Sequence, residues 1–486
     1  MFTTEFYSQL GDILSELKAH NVHSQRIREI LDRLHSSIVN WTGPVPNLTD
    51  SFQREDVDSI LVNIVDHMCK NDDDFHKGGV IIKFIARTGY RHEPKVDRDG
   101  KPVLCCTTAI HRAFDWRYIY KLDNVIRDLF KIYDRYDVNY TDECGYTHFH
   151  MACLFGCEAV VKKFLKFGQD PNILVQNTGD SPMHLAVESR NQNIIEVLLR
   201  GGANPRLANL NGRTPLHVIG YGIESAVALF EISDELNQPL QVDARDNLGN
   251  TPLNLAMKKG CRKVAELLLR RGADPYLTNK RELAPRHVMT IDYNDKYNLS
   301  KTLCNVSGAI SHVARIDTRD NMGNTPLHLA LYHRREAMAE TLLRNGANPN
   351  LTNDEGSTAL HIIFHEKYKS YHDDGLTKLF FKVTDEINQP VQVDVQDKLG
   401  RTPLQLAVAN LMPNAVDLLL DHGASLSSFT FPSESCFATK SYKSSEMMHS
   451  WDTKLVSRAM LVLDSIRSSY TDVGVAMRTS RGRQKR

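Results

Sequence analysis

Five histidines return in one setting. His150, His184, His217, His328 and His361 each close a four-residue phrase opened by Thr or Ser, as in Thr325-Pro326-Leu327-His328. A row of imidazoles suggests metal chemistry, since zinc gathers nitrogen and sulfur ligands around one point. The spacing argues against it. One ligand per repeat, with neighbours about 10 Å apart at helix-packing distance, cannot close a coordination shell. Asn254 and Gln405 also fill the same place in two further copies of the phrase, a change that a polar structural slot tolerates and a metal site does not.

Other chemistry is equally thin. The nine cysteines include Cys105, Cys106, Cys144, Cys153 and Cys157 close in sequence, but no CxxC pair. They read as reduced thiols in an intracellular chain rather than as zinc ligands or a disulfide framework. His365-Glu366 lacks the second histidine of HExxH, and His372 stands too far along. There is no GxxxxGK[ST] phosphate loop and no GxSxG elbow. The expectation is a chain with no catalytic residues, no metal and no cofactor.

The histidines belong to a longer phrase that must position them. It reads GNTPLHLA from Gly323, GNTPLNLA from Gly249 and GRTPLQLA from Gly400, with weaker copies from Gly145, Gly179, Gly212 and Gly356. An apolar helical run follows each copy, and four runs end on Gly-Ala at Gly201, Gly272, Gly346 and Gly423. In the unit from Asp320 to Asn353, Gly323 allows a tight turn and Thr325-Pro326 opens a helix. Leu327, Leu329 and Ala330 face neighbouring repeats. Met338, Ala339, Leu342 and Leu343 form the second apolar stripe, and Gly346 ends it. One unit cannot bury its apolar face alone, so such units stack into a solenoid with an extended binding surface.

This phrase resembles the ankyrin repeat family, whose unit of roughly 33 residues is a helix pair with a β-turn finger. The resemblance implies an all-α solenoid over residues 97–428, of about nine units, two of them irregular at 97–138 and 280–318. In the first of these, Thr107-Thr108-Ala109-Ile110-His111 replaces TPLH, with a second helix over Val125–Tyr133. In the other, Ala284-Pro285-Arg286-His287 does so, with a second helix over Leu299–His312. Phrases from Lys131 and Asp397 are similar to an expanded group of insect ankyrin proteins. The resemblance also implies that each histidine of the row bonds backbone between adjacent turns.

A second period overlies the first. DELNQPLQVD at Asp234 and DEINQPVQVD at Asp385 stand 151 residues apart, so Gln176–Asn279 and Asp320–Ser428 read as copies. Their second helices are expected over Ala226–Ile232 and Leu379–Val383.

Residues 1–95 lack the phrase. Apolar stripes predict helices through Phe6 to Leu17, Ile27 to Ile38, Val57 to Met68 and Val80 to Ala86, read as an N-terminal cap. Residues 429–486 are expected to hold one more capping helix, around Leu455 to Ile466, and a disordered basic tail, Arg478 to Arg486.

Charge is balanced, 59 basic against 59 acidic residues, which gives no global steering to nucleic acid or membrane. No apolar stretch approaches the roughly 20 residues that span a bilayer. The N-terminus, MFTTEFYSQL, lacks the pattern of a secretory signal. The expected function is a non-catalytic protein-binding scaffold or adaptor, monomeric and intracellular, with a cytoplasmic location and a nuclear one as the alternative. The alternatives are a substrate-recruiting subunit of a ubiquitin ligase and a nuclear transcription-related regulator. Family contact positions fall here on Tyr146, Leu154, Phe155, Asp180, Arg213, Lys258, Lys259, Tyr332, His333 and Arg401, beside fingertip residues such as Cys144, Leu248, Met322 and Leu399. That surface suits a partner segment with apolar and acidic residues.

Overall fold

Each repeat starts where a Thr or Ser closes a helix N-terminus. Thr325 accepts from the amide of His328, and the His328 ring accepts in return from the Thr325 amide. This is a capping box with histidine in place of the usual Glu or Gln. The same box recurs at Thr108, Thr147, Ser181, Thr214, Thr251, Thr358 and Thr402. Proline at the first helical turn follows in five of these boxes, at Ser181, Thr214, Thr251, Thr325 and Thr402, where its missing donor costs nothing.

The computed structural model describes residues 24–39, 48, 54–68, 72–116, 122–220, 222–280, 283, 316–365, 375–410, 412–426, 429, 462, 463 and 467. The chain divides into two units, Met1–Asn247 and Leu248–Arg486. Among the described residues the regular structure is helical, with isolated bridges at Val96–Pro102, Cys105–Thr141 and Thr141–Thr147.

The first unit opens with three helices: α1 (Ser24–Val39), α2 (Arg54–Met68) and α3 (Asp72–Arg87). Ile30, Leu31 and Leu34 of α1 are buried, as are Val57, Ile60, Leu61, Ile64, Val65 and Met68 of α2. Helix α3 packs on both, close enough at Gly78 that a Cβ would stand 2.8 Å from Met68 Cβ. One buried carboxylate ties the three together. Asp74 of α3 meets Arg28 of α1 at 2.9 Å and His67 of α2 at 3.2 Å. Burial works to raise the Asp74 pKa, but hydrogen bonds and charge from Arg28 and Lys77 outweigh it and hold the carboxyl below its ordinary value. The stripe from Phe6 to Leu17 lies outside the described residues.

Four helix pairs follow: α4 (Ala109–Arg112) with α5 (Leu122–Ile132), α6 (His148–Leu154) with α7 (Glu158–Lys166), α8 (Pro182–Glu188) with α9 (Gln192–Arg200), and α10 (Pro215–Val218) with α11 (Ile223–Glu235). First helices stack in the order α4, α6, α8, α10, and second helices in the order α7, α9, α11. Helix α3 packs on α5 and α2 on α4, so the N-terminal helices cover the first pair.

The second unit holds α12 (Pro252–Lys258) with α13 (Arg262–Arg270), α14 (Pro326–Tyr332) with α15 (Glu336–Arg344), α16 (Ala359–Ile363) with α17 (Gly375–Glu386), and α18 (Pro403–Ala409) with α19 (Pro413–Asp421). Here α14, α16 and α18 stack, and so do α15, α17 and α19. The readings made for Ala284–His287, Leu299–His312, Leu455–Ile466 and the basic tail fall outside the described residues, apart from Val462 and Leu463.

Two helices run longer than expected. Helices α11 and α17 extend to Glu235 and Glu386 because no glycine stops them. Asn237 and Asn388 take the left-handed conformation instead, with φ of 53° and 54°. Asparagine is the residue after glycine that best tolerates this cap. The duplication extends to ion pairs: Arg200 bridges Glu196 and Glu235 in one copy, and Arg344 bridges Glu340 and Glu386 in the other.

Candidate interaction surface

The recurring polar groups of the phrase are spent on neighbours. His328 Nδ1 lies 3.1 Å from the Thr325 amide, which can only donate, so the proton sits on Nε2. Nε2 donates to the Ser357 carbonyl of the next repeat at 3.0 Å. His150 reaches Ile173 O, His184 reaches Arg213 O and His361 reaches Arg401 O in the same way. His217 accepts from the Thr214 amide at 3.0 Å. Asn254 reproduces both halves: Oδ1 accepts from the Thr251 amide and Nδ2 donates to Leu283 O. Gln405 Oε1 accepts from the Thr402 amide. Burial pushes His111, His150 and His328 down to about 4, and lowers His184 and His361 too.

The fingers form a second rail. The carbonyl before a finger glycine accepts from an amide in the following finger, two residues before its glycine except at Lys280, where Glu282 holds the glycine's place. In the first unit the pairs are Cys144–Asn177, Thr178–Leu210 and Asn211–Asn247. In the second they are Leu248–Lys280, Met322–Asp354 and Glu355–Lys398. Gly323 has φ of 71°, and a Cβ there would come within 2.8 Å of the Asp354 amide nitrogen. Only glycine serves both demands.

Five of these turns are closed by an Asp or Asn three residues before the glycine, whereas Gln176 holds that place before Gly179. Asp320 Oδ1 accepts from the amides of Met322 and Asn324 at 2.9 and 2.8 Å. Asp142, Asn209, Asn353 and Asp397 do the same. Sequence reasoning missed these residues, although their fixed place before the glycine was visible. Asp97 builds the same turn at Gly100, so the first finger is a hairpin in which Asp97 and Lys101 pair. The inserted residues continue it, and Leu104 and Cys106 bond Thr141.

Several expected contact residues face inward, against the exposure assigned to them. Tyr146, Leu154 and Phe155 are only 8%, 7% and 8% exposed. The Tyr146 ring lies 4.4 Å from that of Phe114 in the preceding unit, and α6, which carries Leu154, is covered by α8. The residues just after two finger glycines, half-buried, reach the next finger. Asp180 accepts from Asn209 at 2.7 Å, and Arg213 faces Asp246 at 3.5 Å. Arg401 is held by Asp397 at 2.7 Å. Tyr332 and His333 are half-buried, with rings 5.1 Å apart. Lys258 and Lys259 are exposed.

Four finger tips carry exposed apolar side chains, as do scattered sites such as Val39 and Phe167. Leu248, Met322 and Leu399, each just before a finger glycine, are 63%, 57% and 74% exposed, and Leu210 of the first unit is 63% exposed. No group of three or more His, Cys, Asp or Glu among the described residues is placed to hold a metal ion. No described helix is long and apolar enough to cross a membrane.

Comparison with known proteins decides the family. The profile described as ankyrin repeats (3 copies) matches residues 110–209, 197–279 and 339–430, more than half of the chain. A second, ankyrin repeats (many copies), matches 310–363. The chain belongs to the ankyrin repeat family. Ankyrin repeats are in general protein-interaction modules. Among curated ankyrin relatives, the human transient receptor potential cation channel subfamily A member 1 is 26% identical over 51% of this chain and 24% of its own length. The mouse B-cell lymphoma 3 protein homolog is 25% identical over 46% of this chain and 48% of its own. The chain thus spans about a quarter to a half of these relatives. The crystal structure of the human ASB11 ankyrin repeat domain aligns at 20% identity and a TM-score of 0.40, covering 49% of this chain and 98% of that one, which is too loose to carry an argument.

Proposed function

We propose that this chain is a non-catalytic scaffold or adaptor that holds a partner protein against its fingertips. The observation that supports this reading is the placement of exposed apolar side chains. The polar groups of the repeat phrase are satisfied by adjacent repeats, while Leu210, Leu248, Met322 and Leu399 stand out at the tips. Water-exposed leucine and methionine at positions a finger does not need for folding suit burial by a partner. Six free cysteines among the described residues suit a reducing, intracellular compartment.

Affinity capture with the full chain and with a chain ending at Ser428 tests the reading. Partners retained by both versions support a repeat-borne surface. If every specific partner leaves with residues 429–486, the fingertips are not the functional surface.

A further inference from the structure

Charge is balanced over the whole chain but not within the repeat from Leu248 to Lys280. That stretch carries seven Lys and Arg against two Asp and Glu, a surplus of five. Its cations concentrate at one place, the turn from α12 to α13. Lys258 ends α12, Lys259 caps it, and Arg262 and Lys263 form the first turn of α13. All four are exposed. Lys258, Arg262 and Lys263 have no side-chain hydrogen bond or ion pair among the described residues.

A second observation marks this turn. The N-terminus of α13 is the positive end of its dipole, and free amides point there already. Acidic residues suit such a place, and Glu158 and Glu336 occupy it in α7 and α15. Helix α13, like α9 and α19, has none in its first turn, and it presents two cations there. The arrangement opposes the helix dipole, and the carboxylate one turn along, Glu266, is held by Arg270 at 2.8 Å. Departures of this kind point to function.

We infer that the α12–α13 turn docks an acidic segment of a protein partner. The inference rests on the reading of the chain as a protein-binding scaffold and adds a second contact, distinct from the fingertips. The chemistry favours carboxylates on a protein over other anions. The cations line an open turn rather than converge on a cup, so they fit several spaced charges better than one phosphate. Between them, Met257 and Cys261 are buried and Gly260 has no side chain, which leaves no aromatic platform for bases and no apolar side chain to enter a lipid layer.

Fluorescence anisotropy of the full chain with a labelled peptide of alternating Glu and Ala, at low and physiological salt, tests this. The expected result is salt-sensitive binding that weakens at least tenfold in K258E/R262E/K263E. It should be unchanged in K378E/K382E, which alters exposed lysines of α17. The milder K258A/R262A/K263A, with a native melting curve, should lie between them. Equal binding by the wild type and the triple reversal overturns the inference. So does absence of peptide binding, or tighter binding of phosphatidylserine vesicles or a single-stranded oligonucleotide that the triple reversal abolishes. If the peptide fails while fingertip-dependent partners are still captured, the acidic docking site falls and the scaffold reading stands.

Discussion

His328 Nε2 donates to the carbonyl of Ser357 at 3.0 Å, so one side chain caps its own helix and fastens the next repeat. Replacing it with alanine strands a buried carbonyl and opens the cap. H328A should cost about 1–3 kcal/mol in urea denaturation. H328N should recover much of the loss, because Asn254 already makes both contacts in its own repeat. Equal destabilisation by the two variants would refute the two-sided role.

The same geometry sets a pH dependence. Protonating Nδ1 would place a proton against the Thr amide, and burial already pushes His111, His150 and His328 down to about 4. The unfolded histidines titrate near 6.5, so below that pH the unfolded chain binds more protons than the folded one. Stability is therefore full above about pH 6.5 and falls as pH drops toward 4. Each buried histidine contributes up to about 1.4 kcal/mol per pH unit in that window. Urea midpoints at pH 7.5, 6 and 5 should decline in that order, and a flat profile would contradict the assigned protonation states.

Much of this was legible beforehand, and the exceptions have physical reasons. The spacing of Thr325-Pro326-Leu327-His328 and of Met338 to Leu343 located both helices of a repeat, since capping and apolar periodicity are local properties. Exposure is not local. Whether Tyr146 faces water depends on Phe114, supplied by an irregular unit whose geometry no single repeat reveals. The inward turn of Asp180 likewise depends on Asn209 in the next finger. Helix ends at Asn237 and Asn388 were hidden because asparagine does not announce a left-handed cap as glycine does.

Phe155 and Leu399 separate core from contact surface. Phe155 is 8% exposed and Leu399 is 74% exposed. F155A should destabilise the chain by about 3–5 kcal/mol, whereas L399S should fall within about 0.5 kcal/mol of wild type. Thermal melts of the two variants check this, and a mild F155A would return that residue to the candidate surface.

Charge reversal at the start of α13 should stabilise. Arg262 and Lys263 oppose the helix dipole, so R262E/K263E should gain about 0.3–1 kcal/mol per residue at low salt, reduced by about 0.2–0.5 kcal/mol for each new like-charge pair with Glu266. A lower denaturation midpoint in the variant would show that these cations have a structural role.

The central claim is that exposed apolar fingertips hold a partner. Its most direct test is quantitative affinity capture from native lysate with wild type and L248S/M322S/L399S, after melting curves confirm that both fold alike. The account predicts at least a tenfold drop in a defined set of partners. Undiminished recovery of every specific partner would contradict it.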